Sequence, residues 1–515
     1  MAPVETTSAP SLIPATITGF HFFSIGYLVV LAGRTIYRSK LALTPSSATR
    51  YREPLRRNHV RTFSLLAIAS MFSAGFFGLK YATLSYRVWA AERGVVLPTT
   101  LFGDDGAFRP GEHPGRVHIV RWLSDTPFYR DALEIVSEKQ RLFWWGQQAN
   151  LGLTAWSMFV AIEGRRRKIS NLWVFLTLSQ LINLSFAQNL FFIAVLLTPV
   201  PLPGNVKEIT RDSMGVTSNR FSEIKEKMFP EKPEGFIPHT GLYIGLVLAN
   251  FMSIFLIPFA SNTPSFTTIS ILSRTLPFSF LALPYIIPQS WGKIHTNPHT
   301  PQLTYSTIFR TISAISSLLH LKTTAMALIH NTPSEYTYRH SILHPFSSEH
   351  HSTLNRGSTA VTRLLGAIGE HPAVSAAGWD VLLSGLSLGI WAAARGLDAN
   401  DMMSSCIPYF GSVKKVSEAA EEVVVDEIKE ELTSTSRTPG RPKKSATTGK
   451  RGRPAKNRVP APEDTYQPDE TSLVEEGDEE TEEDWESAAL AWGGIAIGGL
   501  GFGSAGVYGG EVRAR

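Results

Sequence analysis

The chain has 515 residues, one cysteine, 18% charged residues and a formal charge of +5. A single cysteine, Cys406, excludes an internal disulfide framework and any cysteine-based zinc site, and so small a net charge points to no particular partner. Mean hydropathy near zero hides strong segregation: apolar blocks alternate with charged loops, which argues for one membrane bundle rather than several soluble domains.

Crossing the hydrocarbon core takes about 20 mostly apolar helical residues. Segments 15–33, 62–85, 142–162, 171–198, 239–260, 266–289, 304–330, 373–394 and 487–508 meet that requirement. The expected fold class is therefore all-α, a polytopic transmembrane helical bundle of eight or nine spans. Residues 1–410 carry the first eight, 411–486 form a long disordered insert, and 487–515 form a Gly-rich final span and tail.

The first span opens without Lys or Arg in residues 1–14, whereas a secretory signal has a positive region before its apolar core. Arg34, Arg38 and Lys40 follow it, so it reads as a retained span with a cytoplasmic C-terminal end. Loop 34–61 also holds Arg50, Arg52, Arg56, Arg57 and Arg61, with Glu53 as its only acid, and Arg165-Arg166-Arg167-Lys168 follows span three. Two spans separate these basic runs, so both fit the cytoplasmic side.

Segment 86–141 then faces the lumen or exterior. It includes RWLSDTPFYRDALEIVSEKQRLFWW (121–145), read as an amphipathic surface helix from about Pro127 that runs into span three, with Trp144 and Trp145 as an interfacial belt. Segment 199–238 has balanced charge, and strict alternation puts it on the same side as 86–141. Spans six and seven contain Pro277, Pro284, His320 and Lys322; Pro kinks are tolerated in membrane helices where neighbours satisfy the freed carbonyls.

Span eight carries the most informative residue. Asp380 lies inside AVSAAGWDVLLSGLSLGIWAAA (373–394). Ionisable groups at that depth are costly and usually face a cavity or the bundle interior. Apolar surroundings favour the protonated form of a carboxyl, so Asp380 is a candidate general acid. The alternative is a structural acid paired with another span, with Lys322 and His320 as possible partners. Trp379 beside it is the aromatic residue best placed to shelter a cation; Trp144, Trp145, Trp156, Trp173 and Trp391 read as packing and interfacial anchors. On span four, Gln180 and Asn183 share a face and are candidates for orienting the acid, while Gln188 and Asn189 point elsewhere; amides in lipid also serve as interhelical glue. Glu163, before Gly164 and the Arg run, is a further candidate acid, set against a plain ion pair at the membrane edge.

Other constellations carry less. His340, His344, His350 and His351 lack the spacing and third ligand of a zinc site. Asp398 and Asp401 form a single D-x-x-D, a weak magnesium signal. No metal or cofactor is therefore expected. In the insert, PGRPKK (439–444) and KRGRPAK (450–456) resemble AT-hooks, arms whose Arg side chains enter the minor groove. Their place between membrane spans favours a basic linker near anionic headgroups over DNA. The insert ends in EEGDEETEEDWE (475–486), nine acids in twelve residues, and its composition is that of disordered chains. By strict alternation it is lumenal, an awkward place for a basic stretch, although long loops translocate largely regardless of charge. The final span, AALAWGGIAIGGLGFGSAGVYGG (488–510), is rich in the small residues that let helices approach closely. No D-D-x-x-D, N-x-x-x-D-x-x-x-D, P-loop or G-x-S-x-G is present, so diphosphate ionisation, nucleotide hydrolysis and serine hydrolysis lack their usual residues.

Several blocks taken together resemble a known group. They are DTPFYRDALEIVSEKQRLFWWGQQ (125–148), WSMFVAIEGRRRKI (156–169), FAQNLFFIAVLLTPVPLP (186–203), HPAVSAAGWDVLLSGLSLGIW (371–391) and ALAWGGIAIGGLGFGSAGVYGGE (489–511). The set resembles fungal membrane-bound terpene cyclases of the ascofuranone and macrophorin type. That resemblance covers most of the membrane region and excludes 411–486. It implies cyclisation of a prenyl chain on a lipophilic aromatic or quinone head, begun by protonating an alkene or epoxide without a metal, in an endoplasmic reticulum membrane. A small-molecule transporter and a non-catalytic membrane protein are the alternatives. The absence of an internal repeat among the spans weighs against the first.

Overall fold

A computed structural model describes residues 10–41, 43, 53–95, 117–198, 236–294, 302–339, 347–407 and 485–513. The chain divides into two units, Met1–Pro408 with Gly477–Arg515, and Tyr409–Glu476. The second lies outside the described residues. So does the disorder expected over 411–486, apart from Trp485 and Glu486, which open the last helix.

The described part is a helical membrane bundle. Its helices are α1 (Ile13–Leu41), α2 (Glu53–Arg93), α3 (Ile119–Asp125), α4 (Phe128–Glu138), α5 (Gln140–Arg166), α6 (Leu172–Leu181), α7 (Leu184–Leu196), α8 (Thr240–Ala260), α9 (Phe266–Ile286), α10 (Gln302–Asn331), α11 (Thr353–Gly366), α12 (Pro372–Arg395), α13 (Ala399–Cys406) and α14 (Trp485–Arg513). Two short antiparallel pairs, β1 (Phe236–Pro238) with β2 (Gly292–Ile294) and β3 (Tyr336–Arg339) with β4 (Ser347–His350), sit in connections.

By length and composition seven helices qualify as membrane spans: α1, α2, α8, α9, α10 from Tyr305, α12 and α14. On α1 and α2, large apolar side chains such as Phe22, Phe23, Phe72 and Leu79 face outward, as lipid-facing helices require. α5 is the reverse. It is too polar to qualify on composition, yet its 27 residues span about 40 Å, and from Leu151 to Gly164 every residue is buried. It is the axis against which α6, α7, α8, α9, α10, α12 and α14 pack.

Two expected spans have a different form. Segment 171–198 breaks at Ile182 and Asn183 into α6, of 10 residues, and α7, of 13. At 1.5 Å per residue the arms are about 15 and 20 Å long, against a hydrocarbon core of about 30 Å. They lie antiparallel, since the rings of Phe175 and Phe191 meet at 5.5 Å, where a continuous helix would separate them by about 24 Å. Asn183 favours the break because it is a strong N-cap: its Oδ1 accepts from Phe186 N at 3.1 Å.

Segment 487–508 is likewise not a straight span. Within α14, Gly499 has φ 82° and ψ 172°, a region almost confined to glycine. The arms 485–498 and 500–513 fold back on one another. A Cβ built on Gly494 would lie 3.7 Å from the Gly503 Cα, and one on Gly503 would lie 3.2 Å from the Ala491 carbonyl oxygen; in a straight helix residues 491 and 503 would be about 18 Å apart. The glycines pack the segment inside the bundle as expected, against α5, α10 and α13 at Gly501, Gly509 and Gly510, and also against its own other arm at Gly494 and Gly503.

The two hairpin tips meet on α5. A Cβ on Gly152 would stand 2.7 Å from Leu500 Cδ2 and 3.3 Å from Leu184 Cδ2. Leu500 follows the second tip and Leu184 the first.

Gly499→Ala is expected to cost at least about 1–3 kcal/mol through its backbone conformation alone, before its methyl group meets Gln148 Oε1 at 2.5 Å. Thermal unfolding of purified protein in detergent checks this. Gly19→Ala, where a Cβ meets nothing within 4 Å, should leave the midpoint at or above the native value.

Candidate functional site

Asp380 lies two turns into α12 and is buried. Its carboxyl reaches the first hairpin tip: Oδ2 accepts from Leu184 N at 3.1 Å and Oδ1 from Ser185 N at 2.7 Å. With the Asn183 bond to Phe186 N, three of the four N–H groups that open α7 have acceptors. Asp380 therefore caps, from another helix, a half-helix whose N-terminus ends inside the bundle. The positive end of that helix favours a carboxylate there. Asn183 also donates from Nδ2 to the Ser70 carbonyl of α2 at 3.1 Å, tying the tip to a third helix.

Arg274 of α9 lies within electrostatic reach of Asp380 but forms no ion pair with it within 4 Å. Neither expected partner has that place. Lys322 stands over the rings of Phe255 and Phe259, at 4.0 and 4.8 Å. His320 bonds Gln148 instead. Arg274 went unnoticed in the sequence, although it is the only charged residue between Phe266 and Ile286.

The expected site residues are partly assembled. Asn183 stands at the tip with Asp380. Gln180, three residues earlier, has a buried side-chain nitrogen with no partner among the described residues. Gln188 donates from Nε2 to the Ser384 carbonyl at 3.5 Å, one turn along α12 from Asp380. Trp379, by contrast, points outward: it is 44% exposed and stacks on Phe77 at 6.4 Å. Adjacent positions on a helix do not share a face.

Glu163 is at the other end of α7. It is fully buried between Arg166, at 3.2 Å, and Arg167, at 3.0 Å. Arg167 also donates from Nη1 to the carbonyls of Val195 and Thr198, at 3.3 and 2.7 Å, closing the C-terminus of α7. The length of α7 puts this cluster about 20 Å from Asp380. Arg395 and Glu511 form a second buried pair at 3.3 Å.

The second tip has its own polar group. Gln148 of α5 accepts from Leu500 N through Oε1, at 2.9 Å, and lies 2.7 Å from His320 Nδ1 through Nε2. A backbone N–H can only donate, so the amide orientation follows: Oε1 faces Leu500, and Nε2 donates to His320 Nδ1. The neutral imidazole then carries its proton on Nε2. Beside it, Gln147 bonds Thr323 and Trp144 donates to Thr324 Oγ1 at 2.8 Å.

The D-x-x-D has structural partners. Asp398 caps α13 through Asn400 N at 3.0 Å, and Asp401 pairs with Arg513 at 3.3 Å. Burial pushes the Asp401 carboxyl above its usual range, and Arg513 opposes that shift. His340 and His344 lie outside the described residues, and His350 pairs with Glu335 at 3.4 Å. Among the described residues no group of three or more His, Cys, Asp and Glu is arranged to hold a metal ion.

No protein-family model, curated protein or solved structure matches the chain.

Removing one partner of a buried ion pair leaves a buried charge uncompensated, at about 3–5 kcal/mol. Glu163→Gln should therefore lower the unfolding midpoint strongly, and the double variant Glu163→Gln/Arg167→Met should recover part of the loss. A double-mutant cycle on thermal unfolding checks this; additive losses would show that the pair is not coupled.

Proposed function

We propose that the protein is a membrane-embedded cyclase of the endoplasmic reticulum, acting on a lipophilic substrate that bears a prenyl chain or its terminal epoxide. The observation that carries this reading is the Asp380 carboxyl, buried at an interrupted helix and within electrostatic reach of Arg274. The resemblance of the sequence blocks supplies the reaction class. On this reading α1, α2, α5, α8, α9, α10 and α12 cross the bilayer, seven crossings rather than eight or nine, and the two hairpins enter without crossing.

The chemistry uses Asp380 in its acid form, which apolar surroundings favour although the N–H donors of the α7 tip favour the carboxylate. The alkene π pair, or an epoxide oxygen lone pair, takes the proton, and the O–H bonding pair stays on the carboxylate. The next alkene attacks the cation formed, closing a ring. A proton then leaves from a C–H beside the last cation, or from the substrate hydroxyl that captures it, and returns to the Asp380 carboxylate, so the acid is restored and the product is an isomer of the substrate. The N–H groups of Leu184 and Ser185, with Arg274, stabilise the carboxylate left behind. Hydrogen bonds to the charged form make an acid stronger, as a base as weak as an alkene requires. Trp379 has no part here, because it faces outward.

Asp380→Asn keeps the side-chain size but removes the acidic proton and one of two acceptors. Membranes carrying the variant, given a prenylated phenol or its epoxide, should form the equal-mass isomer about 10²–10⁴ times more slowly per folded molecule than native membranes. Turnover at the native rate would make Asp380 a structural cap alone.

A second reading is transport. The two interrupted helices favour it, since secondary transporters build their binding sites from such breaks. Substrate accumulation in sealed vesicles without any isomer would select it.

A further inference from the structure

Landmarks on either side of the bundle sort its helix ends into two sets. At the Gln140 end of α5, Arg141 holds Glu370 at 2.7 Å and Asn331 at 3.1 Å, which gathers the start of α12 and the end of α10. Asn262 N, between α8 and α9, donates to Glu134 Oε1 of α4 at 3.1 Å. At the Glu163 end, Thr198 Oγ1 donates to Ser39 Oγ of α1 at 3.0 Å. Arg165 donates to the Phe236 carbonyl at 3.4 Å and faces the Tyr285 ring at 5.9 Å. Helices α1, α5, α9 and α12 end there, and α2, α8 and α10 begin there.

Both hairpins have their two feet in this second set. A Cβ on Gly164 of α5 would lie 2.8 Å from Leu172 Cδ1, at the start of α6, while Arg167 grips the carbonyls of Val195 and Thr198 at the end of α7. In α14, Ile495 packs at Gly385 and Trp492 at Gly389 of α12, so the first arm descends toward Arg395 as its numbering falls. The second arm ends where Glu511 meets Arg395 and Arg513 meets Asp401. Each arm is about 15–21 Å long, too short for a core of about 30 Å.

We infer that both hairpins are re-entrant from one face of the membrane, the face carrying Arg165–Lys168, so that the chain leaves and re-enters the bundle on that face at Thr198 and Phe236 and at Ile407 and Trp485. The flanks agree. Segment 199–235 leaves from Thr198 and returns at Phe236, both at the Glu163 end. Segment 408–484 leaves after α13, where Arg310 donates to the Ser404 carbonyl at 2.5 Å, and returns at the foot of α14. This reverses the sidedness that strict alternation assigned to both segments.

The distribution of charge supports the reversal. Basic residues near membrane helices favour the cytoplasmic side. With two returns replacing two crossings, PGRPKK and KRGRPAK join loop 34–61 and Arg165–Lys168 on one face, and the conflict of a lumenal basic stretch disappears. The inference rests on helix geometry and loop charge and stands or falls separately from the cyclase reading.

The test uses the full chain with Cys406→Ser and one new cysteine at a time: Ser46→Cys, Thr100→Cys, Ser218→Cys or Ser445→Cys. A membrane-impermeant maleimide is applied to sealed microsomes before and after permeabilisation. Positions 46, 218 and 445 should label in the sealed state, and position 100 only after permeabilisation. Grouping of 218 or 445 with 100 overturns the inference for that hairpin. Should Cys406→Ser impair folding, Asn-X-Thr acceptors placed at 218 and 445 in the native chain give the same answer. They should stay unglycosylated, and glycosylation at either would show a full crossing.

Discussion

The architecture depends on satisfying helix ends inside a membrane. A helix that stops in hydrocarbon leaves its first N–H groups without water, and each unsatisfied group there costs several kcal/mol. The Asp380 carboxyl removes two such orphans from α7, and the Asn183 side chain a third. At the second tip the Gln148 amide serves the Leu500 N–H. Without these acceptors neither hairpin could hold its tip in the bundle, and α5 would lose the partners that bury it on every side. The same bonds explain why one carboxyl suits both structure and chemistry. Donors that hold the tip are donors that stabilise a conjugate base.

The stability of this part of the fold is divided between tips and feet. The feet are held by Arg167, which pairs with Glu163 and grips the carbonyls of Val195 and Thr198, and by the Arg395–Glu511 pair. Aromatic stacking fills the space between: Phe192 on Trp391 at 4.2 Å and Phe159 on Tyr508 at 4.4 Å. Each of those stacks joins a hairpin to a crossing helix. The tips, by contrast, rest on a few hydrogen bonds and on leucine contacts at Gly152. A side chain larger than glycine at position 152 would push both tips away together. The two polar groups, around Asp380 and around Gln148, are thus mechanically joined through one residue.

Much of the helical content was legible from hydropathy, since a run of apolar residues long enough to cross a bilayer has few other uses. Asp380 stood out for the same reason, as a lone acid in such a run. The hairpins were not legible, because hydropathy measures length and cannot see direction. Segment 171–198 is as apolar and as long as a span, and its break rests on one Asn that also reads as interhelical glue. The glycines of 488–510 signalled close packing inside the bundle correctly, but not that the segment also folds back on its own other arm. Nor did spacing reveal Arg274, because its meaning depends on Asp380, more than a hundred residues away.

Parity explains why these local errors mattered globally. Sidedness in a polytopic chain is a running count, and each hairpin read as a crossing inverts everything after it. Two such errors cancel for the ends of the chain but not for what lies between them. On the re-entrant reading, a count that treats 171–198 as a crossing shifts 199–238 first and then the insert. The re-entrant reading needs no appeal to charge, because Thr198, Phe236, Glu511 and Arg513 are anchored at the Glu163 end by named contacts. The basic runs then provide an independent check, and they agree with the geometry. In this chain the hydrogen-bonding needs of two helix tips and the charge bias of the loops lead to the same arrangement.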